Sequence, residues 1–93
     1  MRSTFKISLG TRELVALDAS YAPVCTAAGL RLFELDGPAH KAVWPLQGAI
    51  ADLIEKPLRF EPESLGVVLA NLARIRAECE LASSNQRLTV ALA

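Results

Sequence analysis

The sequence predicts an α+β fold in which a small antiparallel sheet packs against two or three helices. Segments in which apolar and polar residues alternate, the pattern of half-buried strands, occur near both ends of the chain and in its middle. Segments with apolar residues at helical spacing lie between them, without the regular β-α-β order of an α/β protein. The predicted strands cover residues 3–9, 30–35, 40–44 and 87–92, and the predicted helices cover residues 12–22, 45–56 and 62–82.

The first two elements are read from the N-terminal fifth of the chain. Alternation over residues 3–9 predicts a strand, which a Gly-Thr pair ends. Leu14 and Leu17 then recur at helical spacing, so we predict a helix over residues 12–22. The competing interpretation of this segment is the second strand of a hairpin, over residues 13–18.

The middle of the chain combines a second alternating segment with a turn. Residues 30–35 alternate again, and the Asp36-Gly37-Pro38 sequence is typical of a turn. Residues 40–44 are therefore predicted to return as an antiparallel strand. Pro45 suits the first position of a helix, and the apolar core stripe behind it, formed by Leu46, Ile50, Leu53 and Ile54, predicts a helix over residues 45–56.

The longest predicted helix, residues 62–82, has two distinct faces. One is an apolar stripe that we expect in the core, and the other is a ridge of small side chains that would allow another helix to approach closely. The core stripe consists of Leu65, Val68, Leu69, Leu72, Ile75 and Cys79. The candidate helix interface consists of Gly66, Val67, Ala70, Ala73, Ala77 and Leu81.

Two interpretations of this candidate interface stay open. It could pack against the predicted helix 45–56 of the same chain, or it could form a symmetric helix–helix contact between two copies. The intramolecular contact is favoured, because short connections usually join elements that pack together.

The chemistry-bearing residues are few and scattered. Two cysteines and one histidine are too few for a zinc framework, and the five glycines form no phosphate-binding loop. A Cys25–His40 pair would lack a neighbouring glycine-rich elbow or orienting carboxylate. We therefore expect no catalytic residue, no metal ligand and no cofactor, with Cys25 and Cys79 as buried, inert thiols.

Composition points to association with another protein. Of the 93 residues, 52% are apolar, which is more than a chain of this size can easily bury. A second chain that covers part of this surface, in a homodimer or with a protein partner, accounts for the excess. We expect one domain over residues 1–93 that acts as a small non-catalytic protein-interaction module: an adaptor, a complex subunit or a protein inhibitor.

Charge and hydropathy argue against two other kinds of partner, nucleic acid and a membrane. Ten basic residues balance ten acidic ones, which argues against nucleic acid as the partner. No apolar run approaches the roughly 20 residues of a membrane-spanning helix, and the start of the sequence lacks the apolar core of a signal peptide. A cytoplasmic protein without a membrane partner is the expectation.

One local resemblance supplies an alternative function. Residues 4–9, followed by residues 11–18, resemble the opening of ribbon-helix-helix regulators. In that family, alternate residues of a strand read the DNA major groove from a two-stranded ribbon formed by a dimer. The resemblance implies a DNA-binding regulator in which Thr4, Lys6 and Ser8 contact the bases. The sequence departs from the family where its second helix should lie, since residues 30–35 alternate like a strand.

Overall fold

The computed structural model describes residues 3–93 and confirms the α+β class. A four-stranded antiparallel sheet has the strand order β2-β1-β4-β3. Two long helices pack on it. The strands are β1 (Thr4–Leu9), β2 (Arg12–Asp18), β3 (Gly37–Pro38) and β4 (Arg87–Leu92), and the helices are α1 (Ala22–Ala27), α2 (Ala39–Glu55) and α3 (Pro62–Leu81). The predicted strands at 3–9 and 87–92 and the predicted helix at 62–82 are confirmed.

The predicted helix over residues 12–22 is wrong, because the chain forms the hairpin β1–β2 instead. Gly10, with φ of +63°, occupies the first of the two turn positions, where a tight hairpin requires a positive φ. A bulge between Ile7 and Ser8 shifts the register, so that Leu14 and Val15 are both buried. The apolar residues whose spacing suggested a helix therefore belong to a bulged strand.

The predicted strand over residues 30–35 is also wrong. Gly29, with φ of +84°, ends α1, and the Leu30 amide donates a hydrogen bond to the Cys25 carbonyl, as in the usual glycine-terminated helix end. Residues Leu32–Leu35 then form a 3₁₀ turn. Such a turn places residues three apart on the same side, so Leu32 and Leu35 are both buried.

The predicted strand over residues 40–44 is wrong because α2 already begins at Ala39. The Asp36-Gly37-Pro38 sequence contributes β3, whose two residues pair with β4, and the Asp36 carboxylate accepts a hydrogen bond from the Val90 amide at 3.0 Å. Pro45 lies inside α2 rather than at its start. Its missing N–H costs one helical hydrogen bond, which the burial of Ala42 and Leu46 on either side offsets.

The core lies between the sheet and the helical layer. α3 packs over β1 and β2, α2 packs over β3 and β4, and the two helices pack against each other. One face of the sheet supplies alternate side chains from the two central strands. The buried side chains at the centre of this core include Phe5, Ile7, Leu9, Leu88 and Val90 from the two central strands, Leu17 from β2, and Leu46, Leu53, Val68, Leu72, Ile75 and Cys79 from the helices.

Polar contacts fix the elements to each other at the edge of the layer. The Arg12 guanidinium donates to the Glu78 carboxylate at 2.7 Å and joins the hairpin to α3. This hydrogen bond lowers the pKa of Glu78 and raises that of Arg12. At the other end, Arg59 donates to the Ala27 carbonyl at 3.0 Å and to Asp52 at 3.3 Å, which ties the α2–α3 connector to α1.

Candidate interaction surface

The two faces of α3 are clearly separated in the structure. Val68, Leu72, Ile75 and Cys79 lie within about 60° of the helix circumference and are buried, as predicted. Leu65 and Leu69 are half-buried against the same core. The apolar stripe of α3 is thus used entirely within the chain.

The small-residue ridge lies on the opposite side of α3 and faces solvent. Gly66, Ala70, Ala73, Ala77 and Leu81 are all exposed and span about 80° of the circumference. The interpretation that this ridge packs against helix 45–56 of the same chain is wrong, because these five residues stay exposed although α2 and α3 contact each other.

Val67, the sixth residue of the candidate interface, is placed differently from the other five. It is half-buried and packs at the edge of the core. The side chain of Asn71, one turn further along α3, donates a hydrogen bond to the Val67 carbonyl at 2.8 Å. Val67 therefore belongs to the border of the exposed ridge.

α2 presents a second exposed apolar stripe. Trp44, Gly48, Ala51 and Ile54 lie within about 120° of its circumference, opposite the buried side. Trp44 is 75% exposed and Ile54 is 61% exposed. The sequence predicted Ile54 in the core stripe of this helix, and this prediction is wrong, because Ile50 and Leu53 already fill that side.

The exposed stripes of α2 and α3 lie next to each other. The helices are consecutive and joined by a short connector, so they run in opposite directions along their contact. This places the start of α2 beside the end of α3. We call the combined surface the outer helical face; it consists of Trp44, Gly48, Ala51, Ile54, Gly66, Ala70, Ala73, Ala77 and Leu81.

The amount of apolar surface on this side is large for a chain of 93 residues. Leu81 is 86% exposed, and Leu58, in the connector that joins α2 to α3, is fully exposed. Together with Trp44 and Ile54, these side chains present on the order of 600 Å². A stable interface of ordinary size needs about 800 Å² from each partner, and the alanine and glycine surface between the large residues makes up much of the difference.

A separate cleft lies on another side of the molecule, where the start of β1 meets α1 and the 3₁₀ turn. Its volume is about 420 Å³. The rings of Phe5 and Phe33 meet edge to face, with their centroids 5.1 Å apart. We call this the aromatic cleft; it is lined by Phe5, Ala22, Thr26, Arg31, Leu32, Phe33 and Glu34.

The residues considered for catalysis are not brought together in a recognisable site. Cys25 is buried in α1, whereas His40 is exposed in the first turn of α2. Cys79 is buried in α3, and both thiols are free. Burial raises the pKa of each thiol to about 11, so both are protonated at neutral pH and poor nucleophiles. Within residues 3–93, no cluster of histidine, cysteine and acidic residues has the arrangement of a metal site.

The strand proposed to read DNA occupies the middle of the sheet. β1 pairs with β2 on one side and β4 on the other, so neither of its edges is free to form a ribbon with a second copy. Lys6 is exposed on the open side of the sheet, between the half-buried Thr4 and Ser8. The geometry required by the ribbon-helix-helix resemblance is absent from this hairpin.

The described part of the chain contains no helix that is both long and apolar enough to cross a membrane. Comparison with protein-family models, with curated proteins and with solved structures finds no match to this chain.

Proposed function

We propose that this protein is a small non-catalytic interaction module that self-associates through its outer helical face. The exposed apolar stripe shared by α2 and α3 is the observation that carries the proposal. Apolar surface of this extent on a small domain is typical of a surface that another chain covers.

A second copy of the chain fits this surface better than a partner held by charge. The face combines large side chains at its ends, Trp44 and Leu81 at one end and Ile54 at the other, with small ones along its middle. A two-fold axis across the helices would set the large residues of one copy near the small residues of the other. Few charged groups accompany this apolar surface: Glu63, Arg74 and Glu80 are exposed at its borders on α3, and Glu55 is exposed within the α2 stripe.

The contact expected from this surface is of moderate strength. The area per copy is near that of ordinary interfaces, but association also costs translational and rotational entropy. We therefore expect a dissociation constant on the order of 1–100 μM. A large substitution in the middle of the face should weaken the association strongly, because the small side chains there allow the helices of the two copies to approach each other.

Trp44 provides a direct assay, because it is the only tryptophan and lies on this face. Its emission maximum should shift to shorter wavelength as the protein is concentrated from about 1 μM to 500 μM, in parallel with the mass measured by light scattering. Ala73→Arg should abolish both changes while preserving the helical circular dichroism spectrum.

The matched control is Ala91→Arg, which makes the same change at an exposed position of β4 on the open side of the sheet. It should associate like the wild type. A wild-type protein that stays monomeric at 500 μM with unchanged Trp44 emission would refute self-association. An effect of Ala91→Arg equal to that of Ala73→Arg would assign the association to another surface.

A further inference from the structure

We propose that the aromatic cleft is a binding site for a free α-amino acid with an apolar side chain. This inference does not depend on the proposed self-association, because the cleft and the outer helical face share no residue. It depends on an apolar interior and on two opposite charges at the mouth.

The interior of the cleft suits an apolar group. Phe5 and Leu32 form its buried part, and Phe33 stands at its side with 55% of its surface exposed. A volume of about 420 Å³ is within the range of small-molecule sites and exceeds what one amino-acid side chain fills. An aromatic or branched aliphatic side chain placed there would cover exposed surface of Phe33.

The two charges at the mouth suit a zwitterion. The guanidinium of Arg31 and the carboxylate of Glu34 are 4.0 Å apart, and no hydrogen bond joins them. Both side chains are largely exposed and make no other ion pair among the described residues. They are therefore free to reorient toward a ligand.

The spacing of the charges in an α-amino acid matches this pair. Its ammonium and carboxylate groups are attached to one carbon atom and lie roughly 3 Å apart. The carboxylate would accept hydrogen bonds from Arg31 while the ammonium donates to Glu34, with the side chain directed at Phe5 and Phe33. A peptide terminus carries only one of the two charges, so it would use only half of the mouth.

The assignment can be tested by titrating ¹⁵N-labelled protein with four small molecules. L-Phenylalanine should shift amide resonances around the cleft, with a dissociation constant on the order of 1 mM, as expected for a ligand of this size. N-Acetyl-L-phenylalanine, which lacks the ammonium, and L-phenylalaninamide, which lacks the carboxylate, should each bind at least about fivefold more weakly. Glycine, which has both charges and no side chain, should not bind.

Two variants test which charged group of the ligand each residue binds. Arg31→Gln should remove the preference for L-phenylalanine over its amide, and Glu34→Gln should remove the preference over its N-acetyl form. Because both residues are exposed, neither change should affect folding. Arg74→Gln and Glu55→Gln are the controls, since both residues are exposed on helices that do not line the cleft, and they should leave all four affinities unchanged.

Several outcomes would overturn the proposal. Absence of shifts at 20 mM L-phenylalanine, or shifts that lie away from the cleft, would remove the site. Equal binding of the N-acetyl derivative would indicate a peptide carboxyl terminus as the ligand, and equal binding of the amide would indicate an amino terminus. If both variants still prefer L-phenylalanine over its amide and its N-acetyl form, then Arg31 and Glu34 do not bind the charged groups of the ligand.

Discussion

Truncating one leucine on each face of α3 should separate folding from association. Leu72 is fully buried in the core, so Leu72→Ala removes three carbon atoms from it and leaves a cavity. Such changes cost about 3 kcal/mol, which is a large part of the 5–14 kcal/mol expected for a chain of this length. The midpoint of thermal unfolding should fall by roughly 10–20 °C. Leu81 is 86% exposed, so Leu81→Ala should cost less than about 0.5 kcal/mol in the monomer.

Urea unfolding followed by circular dichroism at about 1 μM and 200 μM measures both effects. Leu72→Ala should lower the midpoint by a similar amount at the two concentrations. Leu81→Ala should match the wild type at 1 μM and fall below it at 200 μM, where association stabilises the wild type. A cost of Leu81→Ala that equals that of Leu72→Ala at both concentrations would show that Leu81 is buried within the monomer, which would refute the two-sided description of α3.

Three further predictions follow from individual contacts. The hydrogen bond from Arg12 lowers the pKa of Glu78 in the folded state, so its stabilising effect should be full above the unfolded-state pKa of about 4.3 and be lost as the pH falls through the lower folded value. The stability difference between wild type and Glu78→Gln, measured by urea unfolding, should therefore shrink as the pH falls below about 4.3. Burial raises the pKa of Cys25 and Cys79 to about 11, whereas unfolded thiols ionise near 8.5. Stability should therefore fall as the pH rises from about 8.5 to 11, by up to about 1.4 kcal/mol per thiol per pH unit, as measured by urea unfolding, and a variant with alanine at both positions should lack this part of the slope. Gly66 lies in α3, and open space surrounds the position that a Cβ atom would take. Gly66→Ala should therefore raise the stability of the monomer by up to about 1 kcal/mol in urea unfolding at about 1 μM. A loss of stability would contradict the exposed placement of this residue.

Elements with many periodic residues could be predicted from the sequence. The 20 residues of α3 contain several turns of consistent apolar spacing, and alternation identified β1 and β4. The buried state of Cys79 followed from the same periodicity. In each case, the local pattern and the tertiary environment favour the same structure.

Short segments were predicted less well, because a few apolar residues fit more than one period. In β2, Leu14 and Leu17 have helical spacing only because a bulge adds a residue to the strand. In the 3₁₀ turn, Leu32 and Leu35 are three residues apart, and a pattern of six residues does not distinguish this spacing from alternation. The start of α2 was missed because Pro45 is common at first helical positions, yet here packing of Ala39, Ala42 and Leu46 extends the helix in front of it.

The aromatic cleft could not be predicted because its residues are far apart in the sequence. Phe5 and Phe33 become neighbours only when the 3₁₀ turn packs beside the sheet, a segment that the sequence assigned to a strand. The charges of Arg31 and Glu34 are unremarkable in an exposed segment. Their significance depends on the apolar cleft that they both line.

The outer helical face shows a further limit of periodicity. An apolar stripe identifies residues that avoid water, but it does not show whether the covering chain is the same molecule or another. On α3 the sequence contains two such stripes, and the sheet and α2 together can cover only one of them. Since α2 leaves Trp44 and Ile54 exposed on the same side, the uncovered surface is shared by both helices. A surface shared by two packed helices moves as one rigid unit, which lowers the entropic cost of burying it against a second copy.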